Sequence, residues 1–252
     1  LPNTIALFGA GPGLGAAVAR RFGREGYRVA LVARRREPLD ALRSALTAAG
    51  VEAETFPADL TNPTNAPALV DKIRKRFNRV DALYYAPAPS EGFTPAADLD
   101  AGALRDLIDL YLLTPVELVR AVLPDMLARG NGAILLGQGA SALHGLPGMS
   151  GLGPAMAAAR NYVHSLHGEV AGRGVYAGAI TVTAMIRGSA GHQRLLSGEF
   201  TLPEGVKLPA GAELPVVDPD ELAEVCWELV TRRDRVEAIH PALPEGWGTP
   251  GA

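Results

Sequence analysis

Phe8-Gly9-Ala10-Gly11-Pro12-Gly13-Leu14-Gly15 stands between the apolar run Ile5–Phe8 and a helical pattern that begins at Leu14. A strand that turns through glycines straight into a helix opens a βαβ unit. The start of such a helix carries unpaired N–H groups and the positive end of the helix dipole, and glycines let an anion come close to the backbone. A tight turn needing positive φ is the plainer alternative. The strand–loop–helix setting favours a pyrophosphate cradle, so Gly9, Gly11, Gly13, Leu14 and Gly15 are read as cofactor-binding.

Outward from this loop, Tyr27–Ala33 reads as a second strand and about Glu37–Ala49 as a helix closed by Gly50. Glu52–Phe56, the Pro63–Phe77 helix and Ala82–Tyr85 continue the alternation. A long helix over about Ala101–Ala128 leads to a strand at Ala133–Leu136. A loop through Leu146-Pro147-Gly148 then enters a helix over about Gly153–Ala171, followed by a strand at Tyr176–Val182. Asp218-Pro219 caps and opens a further helix, and Val236–His240 is the last strand. Arg187–Val217 has no period, is rich in Gly and Pro, and is read as a substrate lid. Alternation across all 252 residues predicts one α/β domain, a doubly wound parallel sheet of about seven strands with helices on both faces.

The end of the second strand chooses the dinucleotide. An NAD site places a carboxylate there for the ribose hydroxyls. Here Ala33 is followed by Arg34-Arg35-Arg36. Guanidinium groups bind a 2′-phosphate that a carboxylate would repel, so Arg34 and Arg35 point to NADP(H). The alternative is a solvated basic start to the next helix.

Composition narrows the remaining classes. Hydrophobic residues make up 48% and charged residues 20%, enough for a buried core. A net charge of −3 gives no general attraction to nucleic acid or anionic membrane. No apolar stretch approaches the roughly 20 residues of a membrane span, and the N-terminal run is too short for a signal-peptide core. The chain opens on Leu1 rather than Met, so a few preceding residues are expected. Cys226 is the only cysteine, which fits a reducing, cytoplasmic setting. His164 and His167 stand three apart on a helix without a third ligand nearby, and are read as an exposed or subunit-interface pair, leaving no metal site.

With these motifs in place the chain resembles the classical short-chain dehydrogenase/reductase family, whose fold is of the Rossmann type, over nearly its whole length. The Gly9/Gly13/Gly15 spacing matches the family loop. Asp59-Leu60 looks like its adenine-contacting pair, Asp81-Ala82-Leu83 leads into the fourth strand, and Ala121-Val122-Leu123-Pro124 closes the long helix in the family manner. The resemblance implies a small-molecule substrate or ligand and a homodimer or homotetramer built on the two long helices.

The departures carry more. Where the family has Asn-Asn-Ala-Gly, this chain has Tyr85-Ala86-Pro87-Ala88, with Ala86 read as lining the cofactor. The family's active-site Asn falls on Tyr111 and its Ser on Gly139, while its Tyr and Lys fall on Leu152 and Met156. Residues Gly137 to Asn161 contain neither Tyr nor Lys. The resemblance implies that a tyrosine proton, eased by the lysine, meets the carbonyl oxygen; that assistance is typically worth about 10²–10⁴-fold. Leucine and methionine cannot supply it.

Candidates to fill the gap are Arg160, one turn beyond Met156, as an anchor for an anionic substrate, and His144 and Gln138, flanking the emptied serine position. A solvated or interface Arg160 and a plain loop His144 are the alternatives. A relocated tyrosine acid would come from Tyr84, Tyr85 or Tyr111. Two functions follow. One is an atypical NADP(H)-dependent oxidoreductase whose proton comes from another residue, from water or from the substrate, iminium ions being substrates that need no strong acid. The other is a non-redox NADP(H)-binding protein, acting as a sensor or a silent partner subunit.

Overall fold

The computed structural model describes residues 2–88, 94–199 and 214–242. Strand and helix alternate through β1 (Thr4–Phe8), α1 (Leu14–Arg24), β2 (Arg28–Ala33), α2 (Arg36–Ala48), β3 (Ala53–Pro57), α3 (Ala66–Phe77) and β4 (Ala82–Tyr85). There follow α4 (Ala101–Ile108), a π-helical stretch (Asp109–Leu113), α5 (Thr114–Arg129), β5 (Gly132–Gly139), α6 (Leu152–Val170) and β6 (Val175–Val182). The remainder is β7 (Met185–Ile186), α7 (Ala190–Leu196), β8 (Val216–Val217), α8 (Pro219–Arg232) and β9 (Glu237–His240).

Seven strands form one sheet in the order β3-β2-β1-β4-β5-β6-β9, every pair parallel. Helices cover both faces. Ile5 and Leu7 pack with α1 and α8 on one side, whereas Ala6 and Phe8 pack with α3, α5 and α6 on the other. A sheet buried on both faces needs strands that are apolar at every position, and β1, β4 and β6 are buried throughout. Strand order reverses between β1 and β4, and in open α/β sheets the ligand crevice lies beyond the carboxyl ends at such a point. The glycine loop leaves β1 there.

Two expectations are corrected. The helix over Ala101–Ala128 is not continuous: it widens into the π-helical stretch that carries Tyr111. Pro115 accounts for this, since it has no N–H for the Tyr111 carbonyl and its ring crowds that oxygen. Second, Arg187–Val217 is not wholly irregular. β7 pairs in parallel with β8, and Ser189 caps α7 by accepting from the His192 N–H at 3.1 Å. Elements of two and seven residues are too short to show a period. Residues 200–213, most of the expected lid, lie outside the described residues.

At the opposite end of the sheet Asp81, 5% exposed, holds the strands in register. Its Oδ2 accepts from the Thr4 N–H at 2.8 Å, and Oδ1 is paired with Arg79 and lies 3.7 Å from Arg129. Removing one member of a buried, hydrogen-bonded ion cluster leaves the others uncompensated. Asp81→Ala is expected to cost about 2–4 kcal/mol, read as a lower urea midpoint at unchanged denaturant slope.

Candidate cofactor and substrate site

The loop after β1 is held from two sides. The N–H groups of Gly9 and Ala10 both donate to the Val32 carbonyl, at 2.9 and 3.0 Å, and the Ala86 N–H donates to the Phe8 carbonyl at 2.9 Å. Gly9 has φ +98°, and a Cβ there would stand 2.4 Å from the Ala86 oxygen. A Cβ on Gly15 would stand 2.5 Å from the Gly9 oxygen. Both glycines are therefore required by the folding of the loop onto itself and onto the exit of β4. Gly13, φ +89°, opens α1 without a side-chain cap and lies under Ile186 and Ser189. Leu14 is buried and anchors the helix.

Gly11 differs. A Cβ there would meet nothing within 4 Å, so no protein packing demands a glycine. The loop is open on that flank, and the first-turn N–H groups of α1 have no side-chain acceptor. This is the geometry a pyrophosphate group fits. Arg34 and Arg35 are exposed where β2 passes into α2, and neither is ion-paired with a described residue. Asp59, after β3, is exposed and accepts from the Thr61 N–H at 3.0 Å. Leu60 is buried, its carbonyl accepting from the Thr114 hydroxyl at 2.8 Å.

Beside this loop, the positions at which the resemblance expects Asn, Ser, Tyr and Lys come together. Tyr111 and Met156 are buried with Ala142 and Ala155, and Leu152 packs against them. Gly139 ends β5, with Ser141 two residues on and buried, its hydroxyl 3.9 Å from the Met156 sulfur. The Tyr111 hydroxyl donates to the Pro87 carbonyl at 3.3 Å, and the Tyr85 hydroxyl to the Leu110 carbonyl. Burial pushes the pKa of Tyr84, Tyr85 and Tyr111 above the ordinary phenol value. Burial of this kind makes each a weaker acid, contrary to what a relocated tyrosine donor requires. His144 is half-buried and follows a 3₁₀ turn at Ala140–Ala142.

Arg160 is not the free cation expected of a substrate anchor. Its Nε and Nη2 grip the Glu237 carboxylate at 3.0 and 2.6 Å. His164, one turn on, reaches the same carboxylate at 3.2 Å, and His167 pairs with the Ala177 carbonyl at 2.7 Å. The two histidines are half-buried against the sheet rather than exposed as a pair. The Thr181 hydroxyl donates to Glu237 at 2.6 Å, and Gln138 Nε2 donates to Thr181 at 3.0 Å. Among the described residues no three potential ligands gather to hold a metal, and no helix is long and apolar enough to cross a membrane.

Glu237 and Ser141 are residues of this region that no sequence motif marks. Glu237 left a signal, a carboxylate inside the strand Val236-Glu237-Ala238-Ile239, where burial demands a partner. That the partner is Arg160 depends on how α6 lies across the sheet beside β6, which no local pattern states.

Residues 3–192 match the short chain dehydrogenase family. Glycine betaine reductase from Emericella nidulans is 30% identical over 218 residues, 85% of this chain and 16% of that protein. Fatty acyl-CoA reductase from Mycobacterium tuberculosis is 35% identical over 133 residues, 52% of this chain and 45% of its own length. This chain thus spans less than half of either relative. Among solved structures, levodione reductase superposes with a TM-score of 0.80 at 21% identity, covering 94% of this chain and 95% of that one.

Glu237 has a lowered pKa: burial pushes it up, and the hydrogen bonds from Arg160 and Thr181 more than reverse this. A carboxylate held below its unfolded value, about 4.3, stabilises the fold fully above that pH and loses the contribution as pH falls through the folded value. The stability difference between wild type and Glu237→Gln should therefore be constant from neutral pH down to about 5 and shrink below about 4.3 in pH-dependent urea unfolding. A difference that stays flat to pH 3 would show that the carboxylate charge contributes nothing.

Proposed function

The chain belongs to the short-chain dehydrogenase family, and from that premise we propose that it is an NADP(H)-dependent oxidoreductase of a small molecule that works without the family's Ser/Tyr/Lys proton relay. The observation that carries the proposal is the open cradle at Gly11 beside a cluster in which Leu152 and Met156 offer neither phenol nor amine. Gly9, Gly11, Gly13, Leu14 and Gly15 would hold the pyrophosphate against the start of α1, with Ala86 beside Gly9. Asp59 and Leu60 would meet the adenine, and Arg34 and Arg35 the 2′-phosphate.

When bound, the reduced cofactor supplies a hydride; at an iminium carbon this yields the neutral amine directly, whereas at a ketone it leaves an alkoxide that calls for a proton. The residues around the site favour the first substrate type. Tyr85 and Tyr111 direct their hydroxyl hydrogens at backbone carbonyls, and Met156 fills the place from which a lysine would ease a phenol. His144, with Gln138 on the other side of Gly139, is the remaining titratable candidate for proton supply. A reducing, cytoplasmic setting and assembly into homodimers or homotetramers through the long helices complete the reading.

Purified protein supplied with NADPH and a panel of ketones, enones and cyclic imines should oxidise NADPH with the imines first, followed at 340 nm. Tight NADPH binding without turnover of any class would replace this reading with the non-redox one. In the double variant Arg34→Ala/Arg35→Ala, affinity for NADPH should fall about tenfold to a hundredfold while NADH affinity barely changes. Equal losses for the two cofactors would remove Arg34 and Arg35 from the 2′-phosphate site.

A further inference from the structure

The end of the sheet opposite the glycine loop also carries a cleft, of about 260 Å³. It lies on the face covered by α1 and α8, where the chain enters β2, β4 and β5 and where α8 ends. Tyr27, Asp81, Asn131, Thr231 and Arg233 supply its polar wall, and Ala133 and Val230 its apolar part. One water takes about 30 Å³ of liquid volume, so the cleft has room for several. It falls short of the roughly 300–1,000 Å³ of a drug-sized ligand, which limits an occupant to a compact molecule.

Charge around this cleft is unbalanced. Asp81 is the carboxylate that lines it, and its oxygens are taken up by the Thr4 N–H and by Arg79, with Arg129 at 3.7 Å. Neither Arg79 nor Arg129 reaches a second carboxylate among the described residues. Arg233 adds a third guanidinium, and among the described residues its hydrogen bonds go only to uncharged acceptors. Glu228 and Asp234, at the same end of α8, are paired with Arg232 and Arg235. A cleft walled by an excess of one sign of charge concentrates the opposite ion.

The polar groups on the wall have hydrogens to spare. Arg233 donates from Nε to the Val230 carbonyl at 3.1 Å, from Nη1 to the Gly174 carbonyl at 3.0 Å and from Nη2 to Asn131 Oδ1 at 3.0 Å. These bonds hold the guanidinium in place and leave hydrogens on both terminal nitrogens. With Asn131 Oδ1 occupied, its amide hydrogens remain, and no described acceptor takes them. Burial raises the Tyr27 pKa, so its hydroxyl keeps its hydrogen, in the field of Asp81, Arg79 and Arg233. Thr231 gives its own hydrogen to the Trp227 carbonyl at 2.8 Å. Arg233 closes α8 at φ +55°, a conformation that favours glycine. The arginine there adds a guanidinium fixed in position before any ligand arrives.

We infer that this cleft is a second ligand site, which binds a compact oxyanion, a carboxylate or a phosphate, through Arg233, Asn131 and Tyr27. An oxyanion is all acceptor, so each spare hydrogen finds a lone pair, and bonds from the guanidinium are charge-assisted. The site stands at the far end of the sheet from the glycine loop and does not depend on the reductase reading.

The test titrates the whole chain with sodium phosphate and, separately, with sodium succinate, at an ionic strength held constant with sodium chloride. Trp227, whose ring stands edge-on to Tyr27 at 6.1 Å between centroids, reports occupancy through its emission, and calorimetry measures the same binding directly. Wild type should bind at least one of the two at millimolar concentration, and which of them binds identifies the oxyanion. Asn131→Asp, of nearly equal shape, sets a competing carboxylate beside Arg233 and should weaken binding about tenfold to a hundredfold, the worth of a hydrogen bond to a charged group. Arg233→Gly keeps the left-handed helix end and should do the same; if it fails to fold, Asn131→Asp decides. The double variant Arg34→Ala/Arg35→Ala, altered at the opposite end of the sheet, should bind as wild type does. The inference is overturned if neither anion binds wild type, if Asn131→Asp binds as tightly as wild type, or if only the Arg34→Ala/Arg35→Ala variant loses binding, which would place the anion at the glycine-loop edge.

Discussion

A single close approach organises the upper edge of this molecule: the backbone of Gly9 against the Ala86 carbonyl, at a distance that leaves no room for a Cβ. β1 and β4 are neighbours in the sheet, and the helices that follow them cover opposite faces, α1 one and α5 the other. The exits can run side by side only if one of them carries no side chain. Gly9 meets that demand, and Gly15 lets the first turn of α1 settle back on the Gly9 oxygen. Once these two contacts are made, the helix N-terminus, the Val32 carbonyl and the Ala86–Pro87 segment are all fixed relative to one another. The same segment receives the Tyr111 hydroxyl, so the cluster around Tyr111 is built on the glycine-loop edge.

The pocket beside it follows a different logic. Tyr111, Leu152 and Met156 close on one another there as a small hydrophobic cluster with Ala142 and Ala155. A buried polar network spans β5, β6 and β9, where a charge pair sets the orientation of an uncharged amide. A buried ion pair is weak evidence of stability, since desolvation cancels much of its attraction. Orientation is the better attested use of such a group, and Gln138 is what it orients here.

How far the sequence reaches differs between these two regions. The glycine loop, the order of elements and the two-sided burial of the strands were legible, because each rests on a local rule: side-chain-free turns, periodicity, and strands apolar at every position. The π-helical widening was legible in principle from Pro115, whose missing N–H falls on Tyr111, but it was hidden inside a long helical pattern. Sequence leaves Arg160 without a partner because Glu237 lies 77 residues away, on the last strand. Thr181 meets Glu237 across 56 residues and Gln138 across 43, contacts that no local pattern states. Local pattern identifies elements; which polar side chains meet is decided by packing between them.

One consequence of that packing concerns the amide itself. Asparagine and glutamine ordinarily present either end to a ligand, because turning the amide over costs little in water. In Gln138 reversal would aim the carbonyl oxygen at the Thr181 oxygen, whose only hydrogen is committed to Glu237. Two acceptors would then face each other in a buried site, a loss of about 1–3 kcal/mol for each unsatisfied group. The ionised carboxylate thus fixes, over two hydrogen bonds, which way an uncharged amide faces.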